Sequence, residues 1–97
     1  MAKIPDGWVE KKGKLVLAIK GADFMRTLAL LNAIGDIAQS QNHHPDLAIR
    51  NYNELIVSTT THDADGLTEK DYKLAQEITD LLQYQAEKNH IEQNGRD

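Results

Sequence analysis

The chain opens with two short segments in which apolar and polar residues alternate. Residues 8–11 form the first segment and residues 14–19 the second, in which leucine and isoleucine share one side. Lys12-Gly13 lies between them and suits a two-residue turn, because glycine tolerates positive φ. The pattern therefore predicts a β-hairpin.

A helical period replaces the alternation over residues 21–41. Asp23 suits the start of this helix, and proline at position 45 opposes its continuation past the polar run 40–42. The apolar positions recur every three or four residues: Phe24, Leu28, Leu31, Ile34 and Ile37. One face of the predicted helix is therefore apolar.

Alternation returns in the second half of the chain. A strand is predicted from Leu47 towards Tyr52, then a turn at Asn53-Glu54, then a β-branched strand over residues 55–62. Asn51 is interpreted as a possible β-bulge.

A second helix is predicted to start at Thr68. Thr68 and Asp71 have the spacing of a capping box, and an apolar period continues to about Gln85. The pattern weakens afterwards, so the tail from about residue 86, with His90, is expected to fray. The order β-β-α-β-β-α indicates a single α+β domain over residues 1–97: a four-stranded antiparallel sheet in two layers, with the helices on one face.

Composition narrows the class of protein. The 97 residues carry a net charge of −4, which argues against binding nucleic acid through the overall field. There is no cysteine, and the longest apolar stretch, residues 28–38, is too short to span a bilayer, which takes about 20 residues. The start lacks the apolar core of a secretory signal. We expect a cytoplasmic protein that binds neither nucleic acid nor membrane.

The histidines are the candidates for chemistry. His43 and His44 are adjacent and precede Pro45, while His62 follows at the end of a predicted strand. Each could simply be a polar surface residue, and the adjacent pair could cap a helix end. A metal site is not favoured, because neighbouring side chains of an extended chain point to opposite sides and no compact zinc pattern is present.

Acid–base chemistry fits the histidines better. Imidazole exchanges a proton near neutral pH, with an unperturbed pKa of about 6.5. Asp71 could orient one ring, although its place in the capping box already gives it a structural role. No nucleophile triad, phosphate-binding glycine loop or dinucleotide motif accompanies the histidines, so proton transfer without a covalent intermediate is indicated.

These motifs together resemble those of the pterin-4a-carbinolamine dehydratase family. "HHP" at residues 43–45 is followed by "TH" at 61–62 and by "GLTEKD" at 66–71; "GW" at 7–8 and "ADF" at 22–24 also agree. The resemblance runs from about Gly7 to Leu82.

The resemblance implies an activity and its residues. The family dehydrates 4a-hydroxytetrahydropterin to quinonoid dihydropterin, in the recycling of tetrahydrobiopterin. His43 and His62 would act as general acids on the two faces of the ring, and His44 would hold the substrate, with some base character. Asp71 would orient His62 or the pterin amide. No metal or other cofactor would be needed, because the carbinolamine carbon is activated by its neighbouring nitrogen.

Two further residues are assigned to substrate contact, Pro45 and Thr61, although a loop and a strand explain them as well. The resemblance also implies homodimers that extend the sheet, or homotetramers that assemble through helices. Some relatives carry acids where this chain has Gln39 and Asn42, which would weaken the tuning of the histidines. The alternatives are a non-enzymatic assembly or coactivator role on the same scaffold, and a metal-binding domain.

Overall fold

The computed structural model describes residues 3–95, with side chains as far as Ala86. Its elements are β1 (Trp8–Lys11), β2 (Lys14–Lys20), α1 (Phe24–Gln41), β3 (Asp46–Arg50), β4 (Glu54–Thr59) and α2 (Glu69–Gly95), with a 3₁₀ turn at His62–Ala64. The predicted α+β class, with four antiparallel strands and two helices, is confirmed.

The four strands form one sheet in the order β1-β2-β4-β3. The register pairs Leu17 with Trp8 on one side and with Val57 on the other. β2 and β4 are therefore the central strands, while β1 and β3 are the edges of the sheet.

The core lies between the helices and one face of the sheet. Its buried apolar residues come from the strands (Trp8, Leu15, Leu17, Leu55, Val57) and from the helices (Ile34, Ala38, Leu74, Ala75, Ile78). The residues that alternate with them lie on the opposite face, where Val9 and Ala18 are exposed and Val16 and Ile56 are half-buried. Trp8 is buried, and its indole Nε1–H donates to Thr79 Oγ1 at 2.9 Å.

The turn between β3 and β4 differs from the predicted one. Arg50 pairs with Glu54, so the turn occupies residues 51–53 rather than Asn53-Glu54. Asn51, at φ 48°, belongs to this turn and not to a bulge. Asn53 is buried, and its polar groups are satisfied there because its backbone C=O and its side-chain amide both bond to the backbone of Gly21.

β4 ends at Thr59, three residues before the predicted end at His62. The reason lies in Thr61, whose backbone N–H and C=O both pair with Gly66 and close a tight loop. His62 therefore starts the 3₁₀ turn instead of ending a strand. At the other end of the chain, α2 has helical backbone as far as Gly95, while the side chains beyond Ala86, including His90, lie outside the described residues.

Within residues 3–95, no helix is long and apolar enough to cross a membrane.

Candidate active site

The carboxylate of Asp71 is the centre of the candidate site. Asp71 is the third residue of α2 and has no exposed surface. Four groups bond to it. Oδ1 lies 2.7 Å from His43 Nε2 and 2.7 Å from Thr59 Oγ1, and Oδ2 lies 2.6 Å from Thr61 Oγ1 and 3.0 Å from the backbone N–H of Thr68.

The capping box predicted at Thr68 accounts for the position of Asp71. The Thr68 hydroxyl accepts from the N–H of Lys70 at 3.3 Å, while Asp71 accepts from the N–H of Thr68. The first turn of α2 therefore aims the carboxylate back at the end of β4. Helix capping and the support of a histidine are two roles of one side chain.

The end of α1 positions His43. The N–H of Asn42 donates to Gln39 O and the N–H of His43 donates to Ala38 O, both at 3.1 Å. Asn42 is left-handed at φ 53° and ψ 41°, so residues 38–43 form a Schellman motif. Asn42 therefore ends the helix within the predicted polar run 40–42, and Pro45 lies three residues further on, immediately before β3.

The protons of the network can be assigned by counting donors. An ionised carboxylate only accepts, so His43 Nε2, Thr59 Oγ1 and Thr61 Oγ1 all donate to Asp71. Since the Thr61 proton is engaged in this way, Thr68 donates in the 2.8 Å contact between the two hydroxyls. His43 is consequently protonated at Nε2, and its Nδ1 is the nitrogen available for chemistry.

The same contacts set the charge of Asp71. Burial by itself raises the pKa of a carboxyl group. The hydrogen bonds from His43, Thr61, Thr59 and Thr68 outweigh burial and hold the pKa of Asp71 below its ordinary value. Asp71 is therefore a carboxylate at neutral pH, and the His43 side chain that contacts it is 12% exposed.

His44 is held by a different helix. Its Nε2 lies 2.9 Å from Oε1 of Gln39, on the last turn of α1. Because an amide oxygen only accepts, His44 donates from Nε2 and also keeps Nδ1 free. The two neighbouring rings are thus anchored separately, one on α2 and the other on α1.

His62 is not part of the Asp71 network. It is exposed at the start of the 3₁₀ turn, and Asp71 bonds to His43, whereas the resemblance implied that Asp71 orients His62 or the pterin amide. Of the two predicted contact residues, Thr61 belongs to the network, whereas Pro45 is half-buried outside it. Within the described residues, no three histidine or acidic side chains are placed to share a metal ion.

A groove adjoins the network on the side of Thr61 and Thr68. Its volume is about 520 Å³, and its other lining residues are Asp63, Ala64, Glu69 and Lys70. Thr61 and Thr68 connect the groove to Asp71, and Asp71 connects them to His43.

Sequence reasoning missed Thr59 and the role of Gln39. Thr59 is a polar residue on the strand face that also carries Leu55 and Val57, so its hydroxyl had to find a buried partner. That alternation was the available signal. Gln39 precedes His44 by five residues across a helix end, and no simple period reveals that contact.

Known proteins are similar to this chain in sequence and in fold. The family model described as pterin 4 alpha carbinolamine dehydratase matches residues 1–81. A provisionally named pterin-4-alpha-carbinolamine dehydratase of Chloroflexus aggregans is 39% identical over 82 residues, which cover 84% of this chain and 86% of the relative. One from Metallosphaera sedula is 45% identical over 74 residues, or 76% of each chain.

Two solved structures are similar as well. A transcriptional coactivator/pterin dehydratase from Brucella melitensis has a TM-score of 0.67 and 29% identity, over 75% of this chain and 79% of that one. A pterin dehydratase-like protein identified as a RuBisCO assembly factor in the alpha-carboxysome has a TM-score of 0.61 over 76% and 84%. Its 15% identity shows a common fold and nothing more.

Proposed function

The chain belongs to the pterin-4a-carbinolamine dehydratase family, and we propose that it converts 4a-hydroxytetrahydrobiopterin to quinonoid dihydropterin and water in the recycling of tetrahydrobiopterin. The observation that carries the proposal is the 2.7 Å contact between His43 and the buried Asp71. This contact supports a role for His43 as a general acid, that is, an imidazole that carries a proton on each nitrogen and donates one of them to the substrate.

The reaction needs one proton delivered and one removed. His43, protonated on both nitrogens, gives its Nδ1 proton to the 4a-hydroxyl, and the C4a–O bond breaks with release of water. The N5 lone pair forms the C4a=N5 double bond, and the N5 proton is lost to a base. The products are one quinonoid dihydropterin and one water, and His43 recovers its proton from solvent.

Asp71 supports this proton transfer through its contact with Nε2 of His43. Its carboxylate stabilises the imidazolium and keeps Nδ1 directed away from the network, as in other acid–base pairs in which a carboxylate orients a histidine. His44, held by Gln39, is proposed to bind the substrate and to accept the N5 proton. His62 is proposed as the acid for the opposite face of the ring, and its exposure leaves it accessible to substrate.

We propose that no metal or other cofactor takes part. The N5 lone pair is adjacent to the carbon that loses hydroxide, so the electrons needed to expel the leaving group come from the substrate itself. Pro45 and Thr61 are proposed to contact the pterin from the loop and from the edge of the groove.

The test is a direct dehydration assay on purified protein with 4a-hydroxytetrahydropterin, followed by its ultraviolet absorbance. We expect His43→Ala to lower kcat about 10²-fold or more, the usual contribution of a general acid. His62→Ala should affect the two 4a epimers unequally if the two histidines serve opposite faces. No acceleration by the wild-type protein would refute the proposal.

A homo-oligomer formed in the cytoplasm is proposed as well. β1 and β3 are open edges of the sheet, and pairing β3 with a second copy would cover one of them. Light scattering after size-exclusion chromatography measures this, and a monomer at all concentrations would refute it.

The alternative is an assembly or coactivator role on the same scaffold. It is favoured by the exposed sheet face, where Val9 is 51% exposed, and by Gln39 and Asn42 at positions where a catalytic site would gain from acids. Purification of a stoichiometric partner complex without dehydratase activity would decide for this role. The intact Asp71–His43 pair favours the enzyme, because a scaffold does not require it.

A further inference from the structure

The turn of the β1–β2 hairpin carries three lysines within four residues: Lys11, Lys12 and Lys14. All three are exposed. Lys11 pairs directly with Lys14 in the register of the hairpin, so both side chains project from the same face of the sheet. Like charges directly opposite each other destabilise a hairpin, so folding alone gives no reason for this pair.

The backbone conformation of Lys12 is a second feature that is unfavourable for folding. It occupies the first turn position with φ 51°, a left-handed conformation in which asparagine, aspartate or glycine is preferred. Within the side chains that the structure describes, the ion pairs are Arg26–Asp23, His43–Asp71 and Arg50–Glu54. The hairpin lysines are in none of them.

The hairpin is fastened to the candidate active site. The Thr60 hydroxyl donates to the backbone C=O of Gly13 at 2.8 Å. The pairing of Leu15 with Thr59 continues by one residue to place Lys14 beside Thr60. Thr61 comes next and bonds to Asp71, and the Cα atom of His62 is within about 7 Å of that of Thr60 because each residue spans at most ~3.6 Å.

The lysines therefore lie at the same end of the sheet as His62, and Lys11 and Lys14 are on the sheet face opposite the helices, because they alternate with the buried Trp8 and Leu15. The chain as a whole is acidic, with a net charge of −4, and Asp63 and Glu69 line the neighbouring groove. A concentration of positive charge at this end of the sheet attracts an anion there, against the charge of the rest of the molecule.

We propose that Lys11, Lys12 and Lys14 form a subsite for an anionic substituent of the substrate, so that the preferred substrates are reduced pterins whose side chain carries a phosphate or a carboxylate. The inference rests on the proposed dehydratase function for its substrate ring. The ring binds at the histidines, and the charged substituent extends past His62 to the hairpin, where the ammonium groups bind it as point charges.

Protection of a sheet edge explains only part of the cluster. Lysine on an edge strand discourages pairing with another chain, and Lys11 is on the edge strand β1. Lys14 is on the central strand β2, and Lys12 is in the turn. Protection of a sheet edge therefore does not explain Lys12 or Lys14.

The first test measures binding without catalysis. The protein is titrated with 6-hydroxymethyl-7,8-dihydropterin, with its phosphate ester and with a 6-carboxyl analogue, at low and at high salt. We expect the phosphate ester to bind at least tenfold more tightly than the neutral ligand at low salt, and the preference to shrink at high salt. The carboxyl analogue distinguishes a general anion site from a phosphate site.

The variant K11Q/K14Q should lose most of this preference, whereas K20Q/K73Q, which removes the same charge elsewhere, should keep it. Thermal unfolding of both variants checks that they are folded. Equal affinity of the wild-type protein for the neutral and the anionic ligands, or an undiminished preference in K11Q/K14Q, would overturn the proposal.

The second test separates this proposal from the proposed function. Dehydration of neutral and phosphate-bearing carbinolamines is measured in the wild type and in K11Q/K14Q. The ratio of kcat/KM for the charged and the neutral substrate should fall in K11Q/K14Q and stay constant in K20Q/K73Q. If neither carbinolamine is dehydrated, the dehydratase function fails, while the binding experiment still decides the anion subsite.

Discussion

The Nε2 atom of His43 lies 2.7 Å from Oδ1 of Asp71, a carboxylate with no exposed surface. The two residues are 28 positions apart, and each is placed by a helix end. The Schellman motif at Asn42 turns His43 towards α2, and the capping box at Thr68 turns Asp71 towards α1. Two ordinary helix ends thus assemble a paired acid and base.

Replacing Asp71 by asparagine tests this pair. The amide keeps the shape of the side chain, but its NH₂ group cannot accept the hydrogen bonds made to one of the two carboxylate oxygens. We expect kcat to fall about 10²-fold or more, because His43 loses both its orientation and the charge that stabilises its protonated form. Stability should fall by about 2–4 kcal/mol, since hydrogen bonds to a buried charge are lost.

The dehydration assay and urea unfolding measure the two effects. Asp36→Asn is the matched control, because Asp36 is exposed on α1, outside the network and outside the groove lining. Wild-type activity in Asp71→Asn would contradict the assignment of the pair.

The pH dependence of stability follows from the lowered pKa of Asp71. A carboxyl group whose pKa is depressed by folding stabilises the protein above the unfolded pKa, which is 3.8. This contribution is fully present at neutral pH and is lost as the pH falls from 3.8 through the lower folded pKa. The stability advantage of the wild type over Asp71→Asn should therefore be present at neutral pH and should shrink below about pH 4.

Unfolding by urea at several pH values measures the difference. A difference that grows as the pH falls below about 4 would show that Asp71 is not the carboxylate described.

Asn42 is expected to tolerate glycine better than alanine. Its left-handed φ of 53° costs an L-residue other than asparagine or glycine about 1–2 kcal/mol. Asn42→Gly should therefore keep wild-type stability within about 0.5 kcal/mol, while Asn42→Ala should lose about 1 kcal/mol and also lower kcat, because this turn places His43.

Thermal unfolding and the dehydration assay on both variants check the prediction. Equal stability of the two variants would mean that the helix does not end through this conformation.

Gly21 should not accept a side chain. A Cβ atom at this position would overlap the Thr27 hydroxyl, which is buried and donates to Asp23 O at 2.6 Å. Overpacking of this kind typically costs about 1–3 kcal/mol, so Gly21→Ala is expected to destabilise by that amount.

Thr27→Ala removes the overlapping oxygen. In a double-mutant cycle, Gly21→Ala should therefore cost less in the Thr27→Ala background than in the wild type, with a coupling of about 1 kcal/mol. If the effects of the two substitutions are additive, the cost of Gly21→Ala does not come from overlap with the Thr27 hydroxyl. It would then come from another contact, for instance the hydrogen bonds between the backbone of residue 21 and Asn53.

The local pattern of residues determined the fold class and much of the candidate site. Alternation of period two and the helical period identified four strands and two helices, because a buried face imposes these periods on the chain. The capping box identified the start of α2, since its hydrogen bonds span only three residues. The histidines were candidates from the sequence because of their intrinsic chemistry.

Only the tertiary structure decided which groups meet. The resemblance implied that Asp71 orients His62 or the pterin amide, but β4 ends at Thr59 and the pairing of Thr61 with Gly66 carries His62 into a separate turn. The partner of Asp71 is His43, placed by the end of α1, and the partner of His44 is Gln39. Such contacts depend on where helix ends lie in space, and that position follows from the packing of α1 and α2 on the sheet, which no local period of the sequence encodes.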